Sequence, residues 1–298
     1  MSILFQKIRE GSVYKVTALA EGRVVGTAEA ISDGHEWSKI TKVSVAKDKG
    51  TPDIKKELLI QLGGELAGQH IFTLADPEDF SLYEDLGYLR SKTSFTYIGN
   101  YSKEELGALE SDGLFLPEGY RFETEFLPRK PFIDNGDIVK KQNVGEIRYE
   151  ETLEGASIAE VNDVLSRAFG GRERDEKRTE EVFFGSQKVE VAYEGDKIIG
   201  MARAVTDGKS EALILNVAVD PAYQGYRIGW NVVTKLAAQL PGYYIFLNTH
   251  PGAVGFYNRK GFRRNKTAFG LSPQPMPPEV LAGFHLPAGY RFPDEYDV

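Results

Sequence analysis

The chain has 298 residues, about twice the size of a typical domain, and its 44 acidic and 36 basic side chains give a net charge of -8. This acidic balance argues against general nucleic-acid binding, which needs clustered Lys and Arg. The absence of cysteine excludes disulfides, thiolate metal sites and cysteine nucleophiles, and four scattered histidines form no metal motif. With no secretory signal and no apolar run of membrane-spanning length, a cytoplasmic protein without a membrane partner is expected.

Strand-like segments in the first third of the chain recur 174 residues later. Val24–Gly34 reads VVGTAEAISDG and Ile198–Gly208 reads IIGMARAVTDG, and the same ungapped offset pairs Tyr83 with Tyr257. A domain-sized period predicts two copies of one fold rather than a solenoid.

The repeat sets the predicted domain boundaries. We expect a first domain over residues 1–127, a linker over 128–145 that is rich in Pro, Gly, Asn and Asp, and a second domain over 146–298. Because the offset leaves nothing in the first copy to match 146–174, the first copy is expected to lack the opening strand and helix.

The second copy is predicted as strand, two helices, three strands, helix, strand, helix and final strand. The ranges in chain order are Gly145–Glu151, Ser157–Phe169, Arg172–Phe184, Lys188–Glu194, Lys197–Thr206, Ser210–Val219, Ile228–Leu240, Tyr243–Asn248, Pro251–Arg259 and Gly261–Leu271. The charged run Gly170–Glu181 is interpreted as a solvated helix face with i,i+4 pairs, although it could also border a substrate site.

Two short segments share the pattern LPxGYRF, starting at Leu116 and at Leu286. Each could add an edge strand to its own copy or to the other one, and the sequence leaves both pairings open.

A loop with two glycines joins a buried strand to a helix at Leu213–Lys235, LILNVAVDPAYQGYRIGWNVVTK. Such a loop turns backbone N–H groups outward at the positive end of a helix, which suits an anion. Gly225 and Gly229 would let a phosphate approach the backbone, and Arg227 can add a cation. The alternative is an ordinary strand-to-helix connection.

Together with a second motif, this loop resembles the GNAT acyltransferase superfamily. The family patterns are Arg/Gln-x-x-Gly-x-Gly/Ala and Asn-x-x-Ala-x-x-x-Tyr-x-x-x-Gly-Phe; here QGYRIG starts at Gln224, and the second motif runs from His250 to Phe262. The resemblance covers roughly residues 146–271 and, through the repeat, 13–97. It implies an α/β protein with two tandem GNAT-type acyl-CoA N-acyltransferase folds, each a mixed sheet flanked by helices.

Two positions depart from the family pattern. Arg227 stands where Gly is usual, and it can still present its N–H if its φ is negative. His250 stands where Asn is usual, and it either contacts the cofactor arm or only caps the helix that Pro251 opens.

The resemblance implies acetyl-CoA as donor and the amine of a small molecule or peptide as acceptor, with direct attack on the thioester. The cofactor-binding residues it implies are Val217, Ala218, Val219, Gln224, Gly225, Tyr226, Arg227, Ile228, Gly229, His250 and Tyr257. No metal is expected.

For catalysis, the resemblance implies Tyr257 as the acid for the leaving thiolate, the alternative being a core tyrosine. Glu211 is the first candidate for the general base and Glu190 the second, and each is otherwise a solvated charge at a strand. A water chain is the further alternative.

The equivalent loop of the first copy, Ala46–Lys55, reads AKDKGTPDIK. Asp53 puts a negative charge where phosphate oxygens would sit, and Pro52 removes an N–H donor. We therefore expect the first copy to keep the fold and to have lost the cofactor site.

Three functional hypotheses remain open. The first is an N-acetyltransferase with one active domain, and the second is a non-catalytic acyl-CoA-binding or partner-docking protein. The third is a tandem enzyme similar to mycothiol synthase, for whose sugar-linked amine the residues give no support. The oligomeric state is also open.

Overall fold

The computed structural model describes residues 3–46, 51–122, 141–171, 174–258 and 261–293, without the side chains of residues 51 and 52. The chain divides into two compact units, Met1–Phe126 with Asn248–Val298, and Leu127–Leu247. This division differs from the predicted boundaries, because residues from 248 onward belong to the first unit. Most of the predicted linker lies outside the described residues. Within the described ranges, no helix has both the length and the apolar character needed to cross a membrane.

The elements follow one another in three stretches of chain. Up to residue 122 they are β1 (Ile3–Glu10), β2 (Val13–Ala20), β3 (Arg23–Ser32), β4 (Trp37–Val45), α1 (Thr51–Glu65), β5 (His70–Leu74), α2 (Phe80–Asp85), β6 (Leu89–Arg90), β7 (Ser94–Tyr97) and α3 (Lys103–Ser111). Next come β8 (Ile147–Glu150), α4 (Ile158–Ala168), α5 (Glu176–Phe184), β9 (Lys188–Glu194), β10 (Lys197–Thr206), β11 (Glu211–Val219), α6 (Ile228–Ala238) and β12 (Tyr244–Asn248). The last are α7 (Val254–Tyr257), β13 (Phe262–Arg264), β14 (Ala268–Leu271) and α8 (Pro278–Phe284).

The first unit contains a mixed sheet in the order β1-β2-β3-β4-β5-β14-β6. Its neighbours are antiparallel except for β4 and β5, which are parallel and are connected through α1. Helix α1 buries Leu58, Leu59 and Leu62 against this sheet. Burial of these side chains supplies the apolar contact that holds helix to sheet.

The second unit is built in the same way. Its strands run β8-β9-β10-β11-β12, again antiparallel except for the parallel pair β11 and β12, which α6 connects. Helices α4 and α6 both pack on β10 and β11. The predicted α/β class, with mixed sheets flanked by helices, is confirmed.

The repeat is visible in strand register. Gly26 lies opposite Val45, and Gly200 lies opposite Val219, at the same offset of 174. A Cβ at Gly26 would lie 2.9 Å from Leu58 Cδ1, and one at Gly200 would lie 2.9 Å from Ile228 Cγ2. Both glycines therefore occur where a helix approaches the strand too closely for a side chain.

The expectation that the first copy lacks an opening strand is wrong. Strand β1 pairs antiparallel with β2, as β8 pairs with β9. A tight turn at Gly11, with φ of 57°, joins β1 directly to β2, where the second copy inserts α4 and α5. Because α4 and α5 separate β8 from β9, the ungapped offset of 174 does not align β1 with β8. The direct connection of β1 to β2, without a helix between them, is as expected.

The segment Gly261–Leu271, predicted as a single strand, forms two strands, β13 and β14. Each of them pairs with the first-copy strand that corresponds to the other. By the offset of 174, β13 corresponds to β6 and β14 to β7. However, β6 pairs with β14, and β7 pairs with β13. The two copies share Arg, Lys, Thr and Phe at equivalent positions here, at 90, 92, 93 and 95 and at 264, 266, 267 and 269, and this shared pattern does not indicate the partner.

The LPxGYRF segments each join the other copy. The N–H of Leu116 donates to the carbonyl of Arg264 (2.9 Å), and the N–H of Leu286 donates to the carbonyl of Arg90 (2.8 Å). In the second segment, the ring centroid of Phe292 lies 5.2 Å from the guanidinium carbon of Arg90. In the first segment, the ring centroid of the equivalent Phe122 lies 5.2 Å from the guanidinium carbon of Arg264. These contacts, all within the first unit, settle the pairing that the sequence left open.

Two predicted helices are shorter than expected. The charged helix begins at Glu176 behind the cap residue Asp175, and Lys177 pairs with Glu181 at i,i+4 (3.8 Å), in keeping with the solvated-face interpretation. Residues 172, 173, 259 and 260 lie outside the description. Pro251–Arg259 is a 3-10 turn over Pro251–Ala253 followed by the single helical turn of α7.

Candidate functional site

The end of strand β11 provides a free edge of backbone. Strand β12 pairs with β11 only from Glu211 to Ile214, whereas β11 continues to Val219. A bulge interrupts the pairing with β10, and Asn216 adopts a positive φ of 52° there. Arg203 Nε donates to Asn216 Oδ1 over 2.6 Å, which holds the bulge.

Val217, Ala218 and Val219 lie beyond the point where the two strands part. Ala218 is buried in the unit's core, and Val217 and Val219 are half-buried. The parted strands leave backbone groups here for an extended ligand to pair with.

The loop after β11 begins with a capped turn. Asp220 accepts a hydrogen bond from the N–H of Ala222 (3.0 Å) at the head of the 3-10 turn Pro221–Tyr223. The loop then turns at Gly225, whose φ is +102°, and α6 starts at the buried Ile228. Each local feature agrees with the sequence pattern of a cap, a glycine and a helix start.

Arg227 does not have the negative φ that was expected for it. Its φ is +61°, in the left-handed region, where the expectation required a negative value. This conformation explains why the family pattern has glycine at the position, since a side chain there costs about 1–2 kcal/mol. Its side chain makes no capping hydrogen bond to α6.

The loop offers donors to an anion. Among the described residues, none accepts a hydrogen bond from the backbone N–H of Gly225, Tyr226 or Arg227. The first N–H groups of α6, starting at Ile228 and Gly229, follow directly and have no intrahelical acceptor. Gln224 to Arg227 are exposed. Donors and helix dipole thus coincide at one accessible place.

A network of polar contacts, here called the latch, connects the loop to the segment before β8. Tyr226 Oη donates to the carbonyl of Lys141 (2.6 Å), and Tyr223 Oη donates to Glu194 Oε2 (2.7 Å). Glu194 also accepts from the Lys141 ammonium and from the N–H of Gly145. The hydrogen bond from Lys141, followed by those from Tyr223 and Gly145, lowers the pKa of Glu194 to about 2.

Asp220 is the buried anchor of the same region. Its carboxylate accepts from Arg167 (2.9 Å) and from Lys197 (3.1 Å), and its side chain is only 2 % exposed. With this negative charge engaged by two cations, no acidic side chain remains on the loop itself, whose residues from Pro221 to Gly229 are all neutral or basic.

The candidate bases lie elsewhere. Glu211 is the first residue of β11, six residues before Val217, so at about 3.3 Å per residue roughly 20 Å separates them. A general base must reach the proton directly or through one water, so this distance argues against Glu211 in that role. Glu190 is 2 % exposed and accepts from Gln239 Nε2 (2.8 Å), and burial raises its pKa.

His250 and Tyr257 belong to the first unit, whereas the loop belongs to the second. His250 caps the turn that Pro251 opens, because its Nδ1 accepts from the N–H of Gly252 (3.0 Å). This contact is the capping alternative; the role at the cofactor arm stays a prediction.

Tyr257 is packed in an aromatic cluster. Its ring centroid lies 5.7 Å from that of Phe95, 4.8 Å from that of Phe256 and 5.2 Å from that of Phe262. Burial raises the pKa of the phenol, which stays protonated throughout the neutral range. The group is therefore suited to donate a hydrogen bond more than to give up its proton.

The first copy shows the same strand geometry with a different helix start. Strand β5 pairs with β4 only from Trp37 to Lys39, so β4 also runs on alone. Asp53 lies in the first turn of α1, and Lys55, which aligns with Gly229, forms an ion pair with Asp79. Gly50 lies outside the described residues. The loss of the cofactor site in this copy stays a prediction, which these charges favour.

The sequence reasoning missed the residues that support the loop. Asp220 carried a local signal, since Asp-Pro before a turn is typical of a cap. Glu194 and Lys141 carried none, because 53 residues separate the two partners. Asn216 could have been noticed as a residue type that tolerates positive φ.

Comparison with known proteins finds similarities in this region. Residues 181–264 match the family model described as acetyltransferase (GNAT) domain. A rice (Oryza sativa subsp. japonica) protein named serotonin N-acetyltransferase 2, chloroplastic, is 31 % identical over 121 residues, which are 38 % of this chain and 60 % of that protein. The Arabidopsis thaliana protein named GCN5-related N-acetyltransferase 1, chloroplastic, is 33 % identical over 37 % of this chain and 58 % of its own length. This chain thus spans less than two thirds of either relative.

Among solved structures, a tandem GNAT protein from the clavulanic acid biosynthesis pathway aligns with 89 % of this chain and 84 % of its own. Its sequence identity is 13 % and the TM-score is 0.43.

Proposed function

We propose that this chain, which carries a GNAT domain over residues 181–264, is an N-acyltransferase that moves an acyl group from acyl-CoA to an amine. The observation that carries the proposal is the loop Gln224–Gly229. There, two positive-φ residues precede α6 and leave successive N–H groups without an acceptor among the described residues. Acetyl-CoA is the simplest donor, and the acceptor is an amine of a small molecule or peptide.

The residues present fit such a cofactor. The loop Pro221–Gly229 has no acidic side chain, and the carboxylate of Asp220, which directly precedes it, is held by Arg167 and Lys197. Backbone N–H groups from Gly225 to Gly229 would hold the pyrophosphate, and the parted end of β11 would pair with the amides of the arm. When bound, the cofactor supplies an activated thioester.

The transfer itself requires little from side chains. A neutral amine attacks the thioester carbon, the C–N bond forms and the C–S bond breaks, and the proton that the amine nitrogen loses ends on the leaving thiolate, so the balance needs no other reactant. With no cysteine in the chain, the acyl group cannot pass through a cysteine thioester. Tyr257, which keeps its proton, is the proposed hydrogen-bond donor to the leaving sulfur.

The first experiment compares two glycines that both have a positive φ and open space where a Cβ would lie. Gly225→Ala and Gly208→Ala both place a Cβ at a positive φ with no atom within 4 Å of it. Each should lose stability, but only Gly225→Ala should weaken CoA binding, by about tenfold or more, measured by calorimetry. Equal affinity of both variants would contradict the assignment of the loop.

A second pair tests which copy holds the cofactor. Gly229→Asp should abolish CoA binding by placing a negative charge at the phosphates, whereas Lys55→Asp, at the equivalent position of the first copy, should leave it unchanged. Equal loss in both variants would show that the first copy has kept a site.

One observation favours a second candidate function. The buried, protonated Tyr257 and the distance of Glu211 from Val217 leave no proton acceptor assigned to the reaction, as expected for an acyl-CoA-binding protein without turnover. Release of free CoA from acetyl-CoA across a panel of amines separates the two. Binding without release under any amine would overturn the transferase and favour the binding protein.

A further inference from the structure

A buried arginine of the second unit contacts the bulge of strand β11. Arg203 lies on β10 and is only 1 % exposed. Its Nε donates to Asn216 Oδ1 (2.6 Å), and its Nη1 donates to the carbonyl of Val182 and to the hydroxyl of Ser186, each over 3.3 Å. The guanidinium carbon also lies 5.7 Å from the ring centroid of Phe183. These contacts compensate for part of the hydration that a buried guanidinium loses.

The partners of Arg203 belong to two different elements. Val182 lies in the last turn of α5, and Ser186 follows just after its end, where free carbonyls and the helix dipole favour a cation. Asn216 lies in β11, at the place where the register with β10 shifts. One buried side chain therefore connects the end of α5 to the bulge after which Val217–Val219 follow.

The bulge depends on a residue that tolerates a left-handed backbone. Asn216 has a φ of 52°, and asparagine is one of the few residue types besides glycine that enter this region readily. Its Oδ1 accepts from the ionised guanidinium of Arg203, and such charge-assisted hydrogen bonds are stronger than those between neutral groups. The arginine thus fixes the side chain of Asn216 and, through it, the backbone of the bulge.

The first copy shows that a bulge by itself does not produce this conformation. Strand β4 also shifts register against β3 at the equivalent place. At the offset of 174, however, Glu29 aligns with Arg203 and Lys42 with Asn216. No residue of β4, which is described throughout, has a positive φ. This copy also joins β1 directly to β2, without a counterpart of α5. The arginine, the left-handed residue and the helix thus occur together, in the copy that contains the loop Gln224–Gly229.

We propose that Arg203 is a positioning residue for the arm of acyl-CoA, because it holds Asn216 in the left-handed conformation that sets the course of the parted end of β11. This inference rests on the proposed function, in which the arm pairs with that end of the strand. A change of conformation at Asn216 redirects Val217–Val219, which follow it directly. The loop Gln224–Gly229 depends on its own glycine and on the start of α6 instead. The arm and the phosphates should therefore respond differently to changes at Arg203 and Asn216.

The test measures the affinity of the full chain for two probes by calorimetry. Acetyl-CoA carries the arm, whereas adenosine 3′-phosphate 5′-diphosphate keeps the pyrophosphate and lacks the arm. Asn216→Val should weaken binding of acetyl-CoA by about tenfold, because a β-branched residue disfavours a positive φ. Asn216→Gly should stay within about threefold of the wild type, because glycine adopts this φ freely. The affinity for the nucleotide should not change in either variant.

The order of these two variants separates the proposed role from strand stability. Strand propensity alone favours valine over glycine, so a structural effect would weaken binding more in Asn216→Gly than in Asn216→Val. The matched control is Lys42→Val, at the equivalent position of the first copy, which should change neither affinity. A greater loss in Asn216→Gly, or an equal loss for both probes, would overturn the positioning role.

A second set of variants tests the arginine itself. Arg203→Lys keeps the charge but not the planar fork, and it should weaken binding of acetyl-CoA by about fivefold in the wild type and not at all in the Asn216→Gly background. The same loss in both backgrounds would show that Arg203 does not act through Asn216.

If Arg203→Lys fails to fold, the hydrogen bond is tested from its other end. Asn216→Asp keeps an acceptor for Arg203 and should bind acetyl-CoA like the wild type, whereas Asn216→Ala should lose about tenfold. Equal binding by these two variants would refute the proposal. A wild type that binds neither probe would refute the proposed function as well, whereas binding of both probes without the expected differences would refute only the role of Arg203.

Discussion

Two substitutions of Asp220 separate the contributions that its buried carboxylate makes to the loop that follows it. Asp220→Asn keeps a side-chain oxygen that can accept from the N–H of Ala222 but removes the charge that Arg167 and Lys197 contact. Asp220→Ala removes both. The difference between the variants therefore isolates the cap, and the loss in Asp220→Asn isolates the ion pairs.

The structure sets the expected size of each step. Breaking a fully buried pair costs about 3–5 kcal/mol. Arg167 and Lys197 are 37 % and 49 % exposed, so water can hydrate them once the carboxylate is gone. We therefore expect a loss of about 1–2 kcal/mol for Asp220→Asn. The lost cap adds about 1 kcal/mol in Asp220→Ala.

The assay is thermal unfolding followed by calorimetry, with CoA affinity measured in parallel. A matched control is Asp163→Asn, because Asp163 pairs with the same Arg167 (2.7 Å) but is 61 % exposed. It should cost at most about 0.5 kcal/mol. The reasoning is refuted if Asp220→Asn lowers the melting temperature no more than Asp163→Asn does, and the cap is refuted if Asp220→Ala and Asp220→Asn unfold together.

Further predictions concern the repeat, the loop and the latch. Gly26→Ala and Gly200→Ala should each cost about 1–3 kcal/mol by crowding a helix, but only Gly200→Ala should also raise the KM for acyl-CoA, because the helix it displaces is α6; equal KM values would contradict this. Arg227→Gly should raise stability by about 1 kcal/mol in urea unfolding by relieving the left-handed conformation, and a loss would show that its side chain matters more. Because the folded pKa of Glu194 is depressed to about 2, its contribution is complete above its unfolded value near 4.5 and disappears as the pH falls to 2. Melting curves of wild type and Glu194→Gln should converge across that window, and a constant gap would rule out the latch.

Local features of the site were predictable because they depend on neighbouring residues. The turn at Gly225 and the start of α6 at Ile228 follow from a glycine, a cap and an apolar stripe within twenty residues of chain. The conformation of Arg227 was not predictable, since an arginine in the left-handed region is held there by the helix and turn around it. The contacts of Lys141 with Glu194 are likewise tertiary, because the partners meet only after the strands have paired.

The sequence by itself determined that there are two copies of one α/β fold, since the offset of 174 carries the same strand register, the same close-packed glycines and the same α1 and α6 connections. Only the tertiary structure decided which strands pair at the end of each copy. Strand β14 enters the sheet of β5 and β6, and each LPxGYRF segment joins the other copy. The strands that pair are far apart along the chain, so their pairing depends on tertiary contacts and cannot be derived from the local residue pattern. The observed pairing is accompanied by contacts between segments that are distant in sequence: Phe292 contacts Arg90, and Phe122 contacts Arg264.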